Sequence, residues 1–185
     1  MPKSTFFNLP PEKQECIRLA LISEFETHPL AEASVKHIVE TLGIARGSFY
    51  QYFEDLTESY FYILEQETTE LHTLFAKLMQ ESDDAGSALD AFGPRVAEEL
   101  FDPLRISLYR SRYLGWTAEL EGKWNEYLEK NQDPARKKFR RSEQLLFMKA
   151  VVHDLILRSF TENWSKKEFL EHYRRHVIWL KGGIV

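Results

Sequence analysis

Between Ser34 and Phe53 the chain reads SVKHIVETLGIARGSFYQYF, two short helical patterns that meet at one glycine. This stretch constrains the fold more than any other. Val35, Ile38, Val39 and Leu42 repeat with the i, i+3, i+4, i+7 spacing of a buried helical stripe. Ser34 supplies an N-cap hydroxyl, although His37 stands where a capping box has Glu or Gln. Gly43 stops the helix, as a left-handed residue at a helix end does. A second helix is expected from about Ala45 to Tyr52, with Phe49 and Phe53 one turn apart. Helices this short, joined by so tight a turn, cross steeply and bury a shared wedge, here Ile38, Val39, Ile44 and Phe49. That leaves Arg46, Gly47, Ser48, Tyr50 and Gln51 on the outside or the rim of the second helix.

The flanks are helical as well. Ile17, Leu21 and Phe25 form a stripe on a helix expected from Pro11 to Phe25, which His28 and Pro29 terminate. A long pattern runs from Thr57, a candidate cap, to about Gln80 through Tyr60, Phe61, Leu64, Leu71, Leu74, Phe75 and Leu78. Glu81 to Gly86 reads as a loop. Further helices are expected near 87–101, 103–116, 118–130, 134–163 and 166–179, and the Gly182-Gly183 pair marks a frayed end. No strand-like alternation persists and no repeat is visible. The fold class is therefore all-α.

Hydrophobic residues make up 43% of the chain and aromatics 14%, enough for a sizeable core. No apolar run reaches the length of a membrane span, and MPKSTFFNLPPEKQE has no pattern of a secretory signal. A single cysteine, Cys16, excludes an internal disulfide and a cysteine metal cluster. A cytoplasmic location is expected. The net charge of -5 opposes nucleic-acid binding on average, but it is uneven. Residues 1–60 carry 5 Lys/Arg against 9 Asp/Glu, residues 61–129 carry 6 against 14, and residues 130–185 carry 13 against 6.

The segment IVETLGIARGSFYQYFEDLTESY, after a helix that carries ALISEF, resembles the tetracycline-repressor (TetR) family of bacterial transcription regulators. The resemblance covers about residues 11–60 and is general beyond them. It implies a three-helix DNA-binding domain with a helix-turn-helix over 1–56, followed by a helical ligand-binding and dimerisation domain over 57–185. It further implies a homodimer that binds double-stranded operator DNA and, in many members, leaves it when a small molecule fills a pocket. Ser34, Ser48 and Tyr50 match positions that meet phosphate or bases in the family. With Lys36, Arg46, Gly47 and Gln51 they make up the expected DNA-binding set. The chain departs from the pattern at Ala45, where a Ser or Thr cap is usual and its loss costs about 1 kcal/mol. It departs again at Val39, in place of a small Ala, and at Leu56, in place of a Lys.

Other readings follow from the remaining residues. Phe92, Tyr109, Tyr113, Trp116, Trp124 and Phe147 are candidates for lining a hydrophobic or aromatic effector site, with Arg110, Arg112 and His153 as polar groups. Plain core is the competing reading. Leu145, Val152, Leu155, Ile156, Phe169 and Val177 are the dimerisation candidates, beside Leu146 and Ile178. Arg136, Lys137, Lys138, Arg140 and Arg141 form a basic cluster that serves either DNA or solvent. His172 and His176 have a zinc-compatible i, i+4 spacing but no third ligand, so no metal and no cofactor is expected. No catalytic motif or phosphate-cradling loop appears, and no enzyme activity is expected. A repressor released by a small molecule is the leading function. An activator, a partner-responsive regulator, and a helical dimer that has lost DNA binding are the alternatives.

Overall fold

The computed structural model describes residues 1–131 and 143–182. Ten helices carry these residues, and no strand occurs among them. They are α1 (Ser4–Phe7), α2 (Pro11–Thr27), α3 (Val35–Leu42), α4 (Arg46–Tyr52), α5 (Leu56–Glu81), α6 (Ala85–Leu100), α7 (Ile106–Gly115), α8 (Ala118–Asn131), α9 (Glu143–Thr161) and α10 (Lys166–Gly182). The all-α class stands. Among the described residues no helix is long and apolar enough to cross a membrane. The basic cluster from Arg136 to Arg141, the expected helix start at Pro134, and Gly183 lie outside the described residues.

Local chemistry explains several helix ends. Pro11 opens α2 at a position where its missing N–H costs nothing, and Glu12 follows in the first turn. α5 begins at Leu56 because Asp55 caps it: Asp55 Oδ1 accepts the Glu58 N–H at 2.7 Å. Asp55, not Thr57, is thus the capping residue. Glu58 reaches back to the Glu54 N–H, also at 2.7 Å, in the manner of a capping box. Asp84 caps α6 through the Ser87 N–H. Pro103 does not start a helix. Asp102 holds residues 103–105 in a turn by accepting the Leu104 N–H, and α7 starts only at Ile106. Asn163, at φ 54°, ends α9 in the left-handed region, where Asn is tolerated. The short α1 was not expected from the sequence.

The chain divides into two compact units. The first comprises Met1–Glu67 and Gly115–Asn131. Its core contains Phe6, Leu21, Phe25, Ile38, Phe49, Phe53, Ile63 and Leu64, each less than 2% exposed. Trp124 and Tyr127 of α8 stack on one another and meet the Phe61 ring of α5 at 5.2 and 5.5 Å. The Tyr127 hydroxyl donates to Glu65 Oε2 at 3.1 Å. α8 thereby packs with the N-terminal helices, although it follows them by some fifty residues.

The second unit comprises Thr68–Leu114 and the described part of Gln132–Val185. Leu89, Phe92, Val96 and Leu100 of α6 pack with Tyr109, Leu155, Phe160, Phe169, Tyr173 and Val177. Gly93 sits under the Tyr173 ring, so close that a Cβ there would lie 2.6 Å from Tyr173 Cδ1. The Tyr173 hydroxyl donates to the Leu89 carbonyl at 2.9 Å. Burial, with Asp90 nearby, pushes that phenol well above its ordinary range.

Candidate nucleic-acid interface

α3 and α4 are joined by Gly43, Ile44 and Ala45. Gly43 has φ 64° and ψ 31°. Its N–H donates to the Glu40 carbonyl at 3.2 Å, and the Ile44 N–H donates to the Val39 carbonyl at 3.1 Å. This pair of bonds is a Schellman motif, which satisfies the last carbonyls of α3 and turns the chain sharply. Ile38, Val39 and Phe49 fill the wedge at 1, 7 and 1% exposure, while Ile44 is half-buried. The turn and the wedge are as the sequence implied.

Burying Phe49 fixes the rotation of α4. Arg46, Gly47, Tyr50 and Gln51 are then exposed and Ser48 is half-buried. Arg46 is the first residue of α4 and has no ion-pair partner among the described residues. A Cβ on Gly47 would meet nothing within 4 Å, so the fold itself does not require glycine there. Ala45 gives α4 no side-chain cap. The far end of α4 is held by the N-terminal segment. Lys3 Nζ donates to the Tyr50 carbonyl at 2.9 Å, the Lys3 N–H to the Tyr52 carbonyl at 2.8 Å, and the Thr5 hydroxyl to the Gln51 carbonyl. Carbonyls that a short helix leaves unsatisfied thus find donors. Phe6 anchors the segment, with its ring 5.4 Å from Phe53 and 5.5 Å from Tyr62.

Ser34 caps α3, its hydroxyl accepting the Lys36 N–H at 3.1 Å. The Ser34 N–H donates to Glu24 Oε1 of α2 at 2.7 Å. Lys36 is exposed, with Nζ 3.8 Å from Glu40 Oε1. An exposed pair of this kind is weak and leaves the cation free to turn elsewhere. The structure therefore gathers Ser34 and Lys36 at the start of α3, and Arg46, Gly47, Ser48, Tyr50 and Gln51 along α4. Asp55, just beyond α4, is occupied as the α5 cap.

The effector candidates are divided between the two units. Trp116 and Trp124 stand in the first unit, where they meet each other and Phe61. Phe92, Tyr109, Tyr113 and Phe147 stand in the second. Phe92 packs on Phe75 within the core, and Phe147 is 49% exposed. Tyr113 is flanked by the Arg112 guanidinium, the His153 ring and Phe160. Arg110 instead faces Asn163. Of the dimerisation candidates, Val152, Leu155, Ile156, Phe169 and Val177 are buried in the unit's own core and have little surface left for a partner. Leu145 is half-buried. On the same helices Leu146, Phe147, Leu157, Ile178 and Trp179 are exposed. His172 stacks on Trp164 at 4.0 Å, and His176 Nδ1 pairs with the His172 carbonyl.

Comparison with known proteins adds three findings. The model of the tetracyclin repressor C-terminal domain matches residues 85–183. A TetR family transcriptional regulator from Chloroflexus aurantiacus J-10-FL is 22% identical, with a TM-score of 0.54 over 97% of this chain and 94% of that one. A solved structure from Mesorhizobium loti MAFF303099, described as of a TetR-family transcriptional regulator, is 14% identical. Its TM-score is 0.57 over 90% of this chain and 93% of that one. At such identities the likeness is one of fold. No curated protein matches the sequence.

Proposed function

The chain belongs to the tetracycline-repressor (TetR) family of transcriptional regulators, and we propose that it is a sequence-specific DNA-binding repressor released from its operator by a small molecule. Members of the family are regulators and not enzymes. The observation that carries the DNA-binding reading is the two-sidedness of α4. Phe49 is fully buried, while Arg46, Gly47, Tyr50 and Gln51 face outward.

In this reading residues 1–56 are the DNA-binding domain and α4 enters the major groove. Arg46 meets a guanine edge or a phosphate with its planar fork. Gly47 lets the DNA backbone approach. Ser34, Ser48 and Tyr50 contribute positioning hydrogen bonds, Gln51 lies at the rim, and Lys36 adds a phosphate contact. Residues 57–185 regulate and dimerise. Leu146, Phe147 and Leu157 on α9, with Ile178 and Trp179 on α10, are the apolar residues that a second copy covers in a four-helix interface. The effector is an apolar or aromatic molecule. The group formed by Tyr113, Arg112, His153 and Phe160 in the second unit combines apolar wall with a few polar groups, as small-molecule sites do. The protein works in the cytoplasm, where the DNA is.

The test is footprinting of the purified protein on the DNA upstream of its own coding sequence. The proposal expects protection of two symmetric half-sites about one helical turn apart. Binding no tighter than to random DNA, across that whole region, contradicts it.

A further inference from the structure

Glu24, near the C-terminal end of α2, is a carboxylate only 7% exposed. Burying such a charge is costly unless opposite charge or hydrogen bonds meet it. Its Oε1 already accepts the Ser34 N–H at 2.7 Å. The same oxygen lies 3.3 Å from His37 Nδ1 and 3.5 Å from His28 Nδ1. His28 Nδ1 is buried and makes no hydrogen bond among the described residues. One oxygen is thus approached by three nitrogens, and the third is left over. A buried polar atom without a partner needs a reason.

We propose that Glu24, His28 and His37 form a binding site for a late first-row divalent cation of the zinc type. One ligand atom from each residue lies within 4.8 Å of those of the other two. Metal–ligand bonds of about 2.0–2.1 Å in a tetrahedron put neighbouring ligand atoms about 3.3–3.4 Å apart. The two distances from Glu24 bracket that edge. The third edge, between the two imidazole nitrogens, is no longer than 4.8 Å and closes as the rings turn. The side chains of His28 and His37 are 34% and 49% exposed, so both rings have room to turn. Two imidazoles and one carboxylate suit Zn²⁺, Co²⁺ or Ni²⁺ rather than Mg²⁺ or Ca²⁺, which prefer all-oxygen sets. Water completes the coordination. The Ser34 N–H supplies the outer-shell hydrogen bond that orients a ligating carboxylate.

The ion would cross-link the end of α2 to the first turns of α3. It would thereby fix the loop before α3 and the first turn of that helix, which carry Ser34 and Lys36. The site stands on side-chain geometry alone and does not depend on whether α4 reads DNA.

The full chain, stripped with a chelator, is titrated with Co²⁺ and followed by visible absorption, then challenged with Zn²⁺. The proposal expects one Co²⁺ per chain with the intense d–d bands of a four- or five-coordinate site, displaced by Zn²⁺. His28→Ala and His37→Ala should each weaken binding at least about 100-fold, since even outer-shell losses cost 10–100-fold. The His172→Ala/His176→Ala double variant should bind as the parent does. His37→Ala removes a half-exposed side chain, so it stays informative even where Glu24→Gln fails to fold. A parent chain that gives nothing beyond the pale spectrum of hydrated Co²⁺ would overturn the proposal. So would bands that persist in folded His37→Ala, or that vanish in the His172/His176 variant.

Discussion

Replacing Gly93 by Ala tests how tightly the second unit is packed. The new Cβ would lie 2.6 Å from Tyr173 Cδ1 and closer still to Cε1. Carbon atoms in good contact sit about 3.5–4.0 Å apart, so the ring has to retreat by about 1 Å. It has little freedom to do so, being 2% exposed and tied by its hydroxyl to the Leu89 carbonyl at 2.9 Å. Overpacking of this kind costs about 1–3 kcal/mol. Stretching the hydrogen bond adds up to about 1 kcal/mol. A Cβ before Pro94 adds more steric strain in a helix. Against this, Ala gains about 1 kcal/mol of helix propensity over Gly. The net expectation is a loss of about 1–3 kcal/mol. Urea unfolding followed by circular dichroism, at fixed protein concentration, measures it. In a Tyr173→Leu background the ring is gone and the cost of Gly93→Ala should fall by about 1 kcal/mol or more, which a double-mutant cycle reads as coupling. Gly47→Ala is the internal contrast. With nothing within 4 Å of its Cβ, it should stabilise the free protein by about 0.5–1 kcal/mol. A Gly93→Ala protein as stable as the parent, or an equal cost with and without the Tyr173 ring, would refute the reasoning.

Three further outcomes follow from the same geometry. Ser34→Ala removes the α3 cap and should cost about 1 kcal/mol of stability, read by thermal unfolding; no loss would mean that the cap hydrogen bond is not formed in solution. The Ser87 N–H and hydroxyl hold the Asp84 carboxyl below its ordinary range. Its depressed folded value means that its contribution to stability is present above the ordinary Asp range and is lost as pH falls through the folded value. A carboxyl NMR titration with a midpoint at or above that of free Asp would contradict this. Ile178→Asp places a charge at a 66% exposed apolar position of α10. It should shift sedimentation from dimer to folded monomer, and an unchanged dimer would move the interface elsewhere.

The fold was legible where periodicity and turn chemistry agreed. Gly43 ended α3, and the spacing of Phe49 and Phe53 set which face of α4 turns inward, because both depend on near neighbours in the chain. α1 was not legible. Four residues cannot display a helical period, and this segment is held by Phe6 packing and by bonds to carbonyls at 50–52. The α5 cap was misplaced by two residues because Thr57 and Asp55 are both capping types, and only the structure shows which oxygen meets an N–H. An amphipathic stripe also does not say what covers it. Val152, Leu155, Ile156, Phe169 and Val177 have the spacing of an interface stripe and lie in the unit's own core, while Trp179 is exposed. The same limit hides Glu24, His28 and His37. Their i, i+4 and i+13 spacing crosses a loop and carries no single helical period, whereas His172 and His176 lie one turn apart on one helix.

The central claim is that α4 reads DNA through Arg46. The direct measurement is the affinity of the Arg46→Ala dimer for the footprinted site and its single-base variants, by fluorescence anisotropy at several salt concentrations. The account predicts a loss of about 1–3 kcal/mol. A guanine contact shows as relaxed preference at one base pair in each half-site, and a phosphate contact as uniform weakening with a shallower salt slope. Unchanged affinity, specificity and salt slope in a folded Arg46→Ala dimer would contradict the account.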